Sequence, residues 1–262
     1  MLDSDDRGLL IEERRRRIRE LLREEGRVTV DSLAARFGTS LVTIRADLAA
    51  LEAAGALTRT HGGALPLTED SDESLGVKQL QHHAEKVCIA NAAVALIREG
   101  ETIILDSGTT TAEIARAIRK VDLKSINVIT NALNVAALLM DIPSVRLIMP
   151  GGILRRESNS LSGHLAEAAL ANLQADRLYL GADGIDPEIG VMTPHLQEAE
   201  LNAHMIRISR QVVVVADSSK LIRRNISLIA KVEQLNMLIT DTAAPAHAVE
   251  QLRQRGVEVQ LV

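Results

Sequence analysis

A chain of 262 residues that is 46% hydrophobic has material for a substantial core and room for two domains. One Phe, one Tyr and no Trp leave almost nothing for bases to stack on, which argues against single-strand and RRM-like RNA binding; a lone cysteine, Cys88, offers neither a disulfide nor a cysteine metal cluster, and its apolar helical surroundings assign it to core packing. The net charge of −5 hides an asymmetry: residues 7–66 carry 11 arginines against 8 acids, whereas residues 67–262 carry 19 basic and 24 acidic side chains, so only the N-terminal part leans towards nucleic acid, and weakly enough that binding must rest on placed contacts and dimerisation.

Residues 1–8 are polar and acidic, unlike a secretory signal, and no apolar run is long enough to span a bilayer, so the expected location is the cytoplasm and no membrane partner is expected. Leu10, Ile11, Ile18, Leu21 and Leu22 then mark an amphipathic first helix that stops near Gly26, and Val28-Thr-Val30 reads as a short strand. Asp31 has the character of an N-cap for a second helix over Ser32 to Phe37 that ends at Gly38. Thr39-Ser40 turns the chain into a third helix whose Ile44, Leu48 and Leu51 recur at core spacing, leaving Ser40, Thr43, Arg45 and Asp47 on other faces. A helix N-terminus with short polar side chains and an arginine suits phosphates and base edges. After Gly55, Leu57, Arg59 and His61 alternate with small or polar residues before Gly62-Gly63, as a two-stranded wing does, and Arg59 and His61 are placed to approach a phosphate or the minor groove.

The words Thr-Ile-Arg-x-Asp-Leu, Leu-Glu-x-x-Gly and Arg-Thr-His-Gly-Gly-Ala within residues 9–67 resemble the DeoR family of bacterial transcriptional regulators. The resemblance implies a winged helix-turn-helix that binds double-stranded operator DNA. The family commonly carries a second arginine directly after the Ile-Arg pair, where this chain has Ala46, so Arg45 lacks its usual neighbour.

The polar, acidic stretch 68–80 reads as an interdomain linker, and the rest, 81–262, as an α/β effector domain. After a helix around 82–98, apolar runs at Thr102–Leu105, Asn127–Thr130, Val145–Met149, Arg177–Leu180, Val212–Ala216, Met237–Thr240 and Val257–Val262 alternate mostly with helical patterns, the signature of a largely parallel sheet covered on both faces. Polar residues gather where these strands end: Asp106 to Thr111, Asn131, Gly151-Gly152, Asp183 and Asp217 to Lys220. In open α/β sheets ligands bind outside the carboxyl ends of strands, so these loops are expected to line one crevice.

In the first of those loops Gly108 lets backbone N–H groups turn inward, Thr109, Thr110 and Thr111 add hydroxyls, and a helix starting near Ala112 contributes its N-terminal end, which together suit a phosphate. Asp106 would be repelled by that phosphate and is assigned to sugar hydroxyls or to N–H groups of the loop, and Ser107 beside it is counted among the effector-binding residues. Lys220 is the leading cation for the same anion, ahead of Lys86, Arg155 and Arg156. The scattered histidines, such as His82, His83, His195 and His204, have no metal-ligand spacing, so neither a metal nor a cofactor is expected.

The words Asp-Ser-Gly-Thr-Thr-Thr, Thr130-Asn131, Pro150-Gly-Gly152, Leu180-Gly-Ala-Asp-Gly-Ile-Asp186 and Ala216-Asp-Ser-Ser-Lys220 resemble the DeoR effector domain. The resemblance implies a Rossmann-like α/β fold similar to ribose-5-phosphate isomerase and glucosamine-6-phosphate deaminase, a phosphorylated-sugar effector, and a homodimer or homotetramer. In wording the chain is most similar to the subgroup regulating N-acetylgalactosamine and other amino-sugar use. An enzyme is the alternative. Ribose-5-phosphate isomerase has Asp-Gly-Ala-Asp-Glu where this chain has Leu180 and Gly184 in place of the outer carboxylates, groups that proton transfer between sugar carbons needs; Asp183 and Asp186 remain to bind hydroxyls, Glu198 is a further candidate acid, and no catalysis is expected.

Overall fold

The computed structural model describes residues 9–54, 56–60, 62–65 and 75–262. The chain divides into two compact units, residues 1–81 and 82–262.

In the first unit α1 (Ile11–Glu25) is followed by β1 (Val28–Thr29), α2 (Val30–Phe37), α3 (Leu41–Ala53), β2 (Thr58–Thr60), β3 (Gly63–Leu65) and α4 (Leu75–Leu80), the last lying within the stretch whose composition suggests a linker. Ile18, Leu21 and Leu22 of α1, Leu33 and Phe37 of α2 and Ile44, Leu48 and Leu51 of α3 meet in one core. Leu10 and Ile11, by contrast, are exposed. The strands pair antiparallel in the order β1-β3-β2, which makes the wing. Gly63 is required there: a Cβ on it would lie 1.9 Å from the carbonyl oxygen of Val28.

Two side chains differ from their sequence assignments for identifiable reasons. The cap of α2 is Thr29, not Asp31: the helix starts at Val30, the Thr29 hydroxyl accepts from Ser32 N–H at 3.1 Å, and Asp31 falls in the first turn, where its charge still favours the helix dipole. Asp47 is buried rather than turned to another face. It lies beside the Ile44–Leu48–Leu51 stripe and so faces α1, where Arg14 Nε donates to its Oδ2 at 2.6 Å and Arg15 Nε to its Oδ1 at 3.0 Å.

The second unit runs α5 (His83–Ala95), β4 (Thr102–Leu105), α6 (Thr109–Ile118), β5 (Ile126–Thr130), α7 (Leu133–Leu139), β6 (Val145–Ile148), β7 (Ile153–Arg155), β8 (Ser160–Ser162) and α8 (His164–Leu170). It continues through β9 (Ala175–Leu180), β10 (Gly184–Asp186), β11 (Gly190–Thr193), α9 (Leu196–Arg207), β12 (Ser209–Val215), β13 (Ser227–Lys231), β14 (Met237–Thr240), α10 (Ala246–Gln254) and β15 (Glu258–Leu261). Seven strands form a parallel sheet in the order β15-β14-β12-β9-β4-β5-β6, matching the seven apolar runs of the sequence. Alternate residues of its central strands enter two cores: Leu178, Leu180, Val212 and Val214 pack with α8, α9 and α10, while Tyr179, Val213 and Val215 pack with α5, α6 and α7. Burial of both faces is why these strands read as unbroken apolar runs.

Two small antiparallel sheets carry no such signal: the hairpin β7-β8 and the sheet β10-β11-β13. Cys88, assigned to the core by composition, is exposed, because the buried stripe of α5 runs through Lys86, Ile89, Ala90, Ala93 and Val94.

The sheet order defines the functional geography. The chain begins at β4, moves outward through β5 and β6, then crosses to β9 on the other side of β4 and moves outward again through β12, β14 and β15. The strand order therefore reverses between β4 and β9, and their carboxyl ends flank the crevice that doubly wound sheets offer to ligands.

Candidate functional site

In the first unit Ser40 caps α3, its hydroxyl accepting from Thr43 N–H at 3.1 Å and lying 2.9 Å from the Thr43 hydroxyl. Arg45, two residues beyond Thr43 on α3, is exposed. Arg59 projects from β2, with its guanidinium 3.7 Å from Glu52 of α3 and its backbone N–H bonded to the same carboxylate at 3.1 Å. The wing is thus tied to the polar-tipped helix. His61 lies outside the described residues.

In the second unit the loop after β4 sits at the switch point. Helix α6 starts at Thr109 rather than near Ala112, with Gly108 at its N-cap and a φ of 145° that side chains rarely adopt. Thr109, Thr110 and Thr111 therefore form the first turn, all three buried, and Thr111 Oγ1 donates to the Gly108 carbonyl at 3.1 Å. Their N–H groups are those a helix leaves without carbonyl partners.

Asp106 is 1% exposed. Its Oδ1 accepts from Ser107 N–H at 2.6 Å, and its Oδ2 from Gly181 N–H at 3.3 Å and from Asn202 Nδ2 at 3.3 Å. The carboxylate thus stitches β4, β9 and α9 together across the switch point. Burial, and then the charges of Glu198 and Asp183, push its pKa well above the usual carboxylate value, against the lowering effect of the Ser107 and Gly181 N–H groups.

Asn131 ends β5. Its Nδ2 donates to the Leu161 carbonyl at 3.2 Å and its own carbonyl accepts from Leu161 N–H at 2.8 Å, which fastens the β7-β8 hairpin to the sheet. Gly151 is exposed, and Gly152 packs closely on the Ser162 backbone. Asp183 accepts from Thr193 Oγ1 at 3.0 Å. Lys220 closes a 3-10 turn, Ser218–Lys220, after β12; the turn is anchored by Asp241, which accepts from Ser218 N–H at 2.6 Å. Of the further cations, Lys86 is buried on α5, Arg156 is exposed, and Arg155 enters a cavity.

That cavity, of about 290 Å³, is lined by Asn131, Arg155, Ser160, Ser162, His195 and Glu198, among others. Arg155 Nη1 lies 3.3 Å from Glu198 Oε2, and Arg155 Nη2 lies 2.8 Å from His195 Nε2. His195 and Asn202 do not stand out in the sequence. A usable signal was present, since Asn202 lies four residues beyond Glu198 and shares its face of α9. Among the described residues no group of three or more His, Cys, Asp or Glu side chains is arranged to hold a metal ion.

A helix-turn-helix with a three-stranded wing, joined in one chain to a doubly wound α/β unit with polar loops at its switch point, defines the class of ligand-sensing transcriptional regulators. Residues 14–70 match the DeoR-like helix-turn-helix domain, and residues 81–242 match the DeoR C terminal sensor domain. The chain belongs to the DeoR family and is a DNA-binding transcriptional regulator. It is 45% identical to a protein of Escherichia coli O157:H7 named for repression of the aga operon, covering 95% of this chain and 93% of that one. It is 37% identical to the transcriptional regulator GlpR of Haloferax volcanii over 96% of this chain and 98% of that one, and 34% identical to the transcriptional repressor AccR of Agrobacterium fabrum over 88% and 90%. Ribose 5-phosphate isomerase A from Methanocaldococcus jannaschii aligns over 54% of this chain and 56% of its own at 21% identity with a TM-score of 0.39, a likeness too partial to bear on activity.

Proposed function

We propose that this protein represses a sugar or amino-sugar catabolic operon and is controlled by a phosphorylated sugar bound at the β4/β9 switch point. The observation that carries the proposal is the loop from Asp106 to Thr111, where Gly108 caps α6 and three threonines form its first turn at the carboxyl end of the central strand. The N–H groups of that first turn and the positive end of a ten-residue helix offer one anion position there, with threonine hydroxyls around it. Lys220 supplies the cation, Ser107, Gly151, Gly152 and Asp183 contribute to the crevice wall, Asn131 faces the hydroxyl end of the sugar, and the buried Asp106 acts on that end through the N–H groups it holds.

Ser40, Thr43, Arg45, Arg59 and His61 carry the DNA contact, in a domain spanning 9–67 that a linker, 68–80, joins to the effector domain, 81–262. Two copies engage the two half-sites of an operator, and the effector changes the geometry of the paired DNA-binding domains. The place of action is the cytoplasm. Catalysis forms no part of the proposal, because Leu180 and Gly184 stand where proton transfer between sugar carbons would need carboxylates.

The test is a gel-shift titration on the DNA upstream of the gene across a panel of sugar phosphates, with thermal shift in parallel. The expected outcome is a phosphorylated sugar that raises the melting temperature, is not turned over and alters operator binding. Turnover, or a shift of operator affinity by unphosphorylated sugars alone, would overturn the proposal.

A further inference from the structure

The cavity beside Asn131 contains an unused acceptor. Asn131 is 1% exposed, and its Nδ2 is committed to the Leu161 carbonyl, which can only accept, so the amide orientation is fixed. Its Oδ1 is buried with no hydrogen-bond partner. Buried amide oxygens are costly to leave unpaired, and a lone one lining a cavity calls for a donor from whatever fills it. On α9, Asn202 Oδ1 is likewise buried and unpartnered.

Charge narrows the kind of donor. Arg155 and Glu198 are the charged side chains of the lining, and they pair with each other at 3.3 Å. Arginine only donates, so the His195 ring nitrogen 2.8 Å from Arg155 accepts. The lining therefore carries no net charge. An ammonium group entering it would have to compete with Arg155 for Glu198, whereas a hydroxyl or an acylated amine finds Asn131 Oδ1 waiting and disturbs no ion pair.

We propose that this cavity is the specificity pocket of the effector site, and that it selects a sugar phosphate whose end remote from the phosphate bears uncharged donors, hydroxyl or amide N–H, over one bearing a free amine. The inference rests on the sugar-phosphate proposal above and adds the orientation of the ligand: phosphate at Thr109–Thr111, uncharged donors at Asn131. Asn202, on the same face of α9 as the cavity-lining Glu198, donates to the Asp106 carboxyl at 3.3 Å, which ties the helix that walls the cavity to the start of the phosphate loop. Arg155 acts as a positioning residue that holds Glu198 out of reach of cations.

The experiment is calorimetry on the full chain with five probes: glucose and galactose 6-phosphates, their 2-amino counterparts, and inorganic phosphate. The parent protein should bind at least one hydroxyl sugar phosphate about tenfold or more tightly than its amine. Asn131→Ala should lower affinity for the hydroxyl sugar phosphate by about tenfold, the loss of one buried hydrogen bond. Arg155→Met, which removes the guanidinium and leaves Glu198 uncompensated, should reverse the order so that the amine binds better, an outcome that a merely structural role for Arg155 does not produce. Binding of the amine by the parent as tightly as the hydroxyl sugar, or an unchanged order in Arg155→Met, overturns the pocket while leaving the sugar-phosphate proposal standing. If none of the five probes binds the parent, that proposal falls for hexose phosphates and the pocket falls with it.

Discussion

Two buried aspartates, one in each unit, have opposite fates. Asp47 in the DNA-binding unit is 2% exposed and lies between the guanidiniums of Arg14 and Arg15, so its charge is matched and its effect is to bolt α3 to α1. Asp106 in the sensor unit is as deeply buried but is held by amide and hydroxyl donors, and the charges that act on it are the acids Glu198 and Asp183. A buried charge with cationic partners stabilises a geometry. One surrounded by amides and like charge is kept in a costly state, which sites of binding and catalysis exploit and structural sites avoid.

The largest effect expected from breaking this comparison is at Asp47. Asp47→Ala leaves two guanidiniums without their carboxylate, and loss of one partner from a buried ion pair costs about 3–5 kcal/mol. The N-terminal unit should melt far earlier in calorimetry, and operator binding should vanish with it, while effector binding by the sensor unit persists. A melting profile unchanged from the parent would show that the Arg14–Asp47–Arg15 cluster contributes nothing.

Next comes Arg45→Ala, which should leave the fold intact because the side chain is exposed and on no core face. Loss of an arginine contact to a base or phosphate costs about 1–3 kcal/mol in each half-site, and the symmetric dimer proposed above would lose it twice. Parent-like operator affinity in a folded Arg45→Ala protein would remove this residue from the DNA contact. The contrast with Asp47 is then sharp: both variants lose the operator, but only one loses its structure.

On the sensor side, Lys220→Ala and Thr110→Ala should keep operator affinity and lose the response to the sugar phosphate. A charge-assisted hydrogen bond contributes about 1.5–3 kcal/mol, and a threonine hydroxyl about 0.5–1.5 kcal/mol, so Lys220→Ala is expected to be the more severe. Gel shifts with and without effector decide this. If both variants respond at the parent's effector concentration, the anion position lies elsewhere.

How far these contrasts were legible in the sequence differs between backbone and side chain. The seven strands of the parallel sheet were visible because burial on both faces makes each a short unbroken apolar run, and the helix-turn-helix was visible through Gly26, Gly38 and the Ile44–Leu48–Leu51 spacing. The hairpin β7-β8 was not, since its three-residue strands join across Arg156–Asn159 and expose Ile153 and Leu154, so neither alternation nor an apolar run marks them. The candidate site divides in the same way. The strand-end loops announced Asp106 to Thr111 and Asn131, whereas the clamp on Asp47 and the Arg155–His195–Glu198 cluster join residues 32 to 43 positions apart. Local patterns carry cores and caps; they do not carry which charge will meet which.

The smallest effect, and the one that separates the two aspartates most cleanly, is the pH dependence of Asp106→Asn. In the parent the folded-state pKa of Asp106 lies well above its ordinary 3.8, so between the two values the native state holds a proton that the unfolded chain has released. Stability should therefore be greatest below that window and decline as pH rises from about 3.8 towards the folded value. An asparagine has no proton to release, so this part of the slope should vanish. Its Oδ1 can still accept from Ser107 N–H, and rotation of the Asn202 amide brings the unpartnered Asn202 Oδ1 to the new Nδ2 as acceptor, while Gly181 N–H loses the acceptor it had in Oδ2, a cost that does not vary with pH. Thermal melts of parent and variant from pH 4 upward should diverge progressively, with the variant gaining on the parent as pH rises. The same substitution should blur discrimination between sugars while leaving attraction for phosphate, because the neutral amide no longer fixes Asn202 by charge. Parallel pH profiles for the two proteins would mean that Asp106 is ionised at no cost, and that the sensor's buried carboxylate is as well matched as the one in the DNA-binding unit.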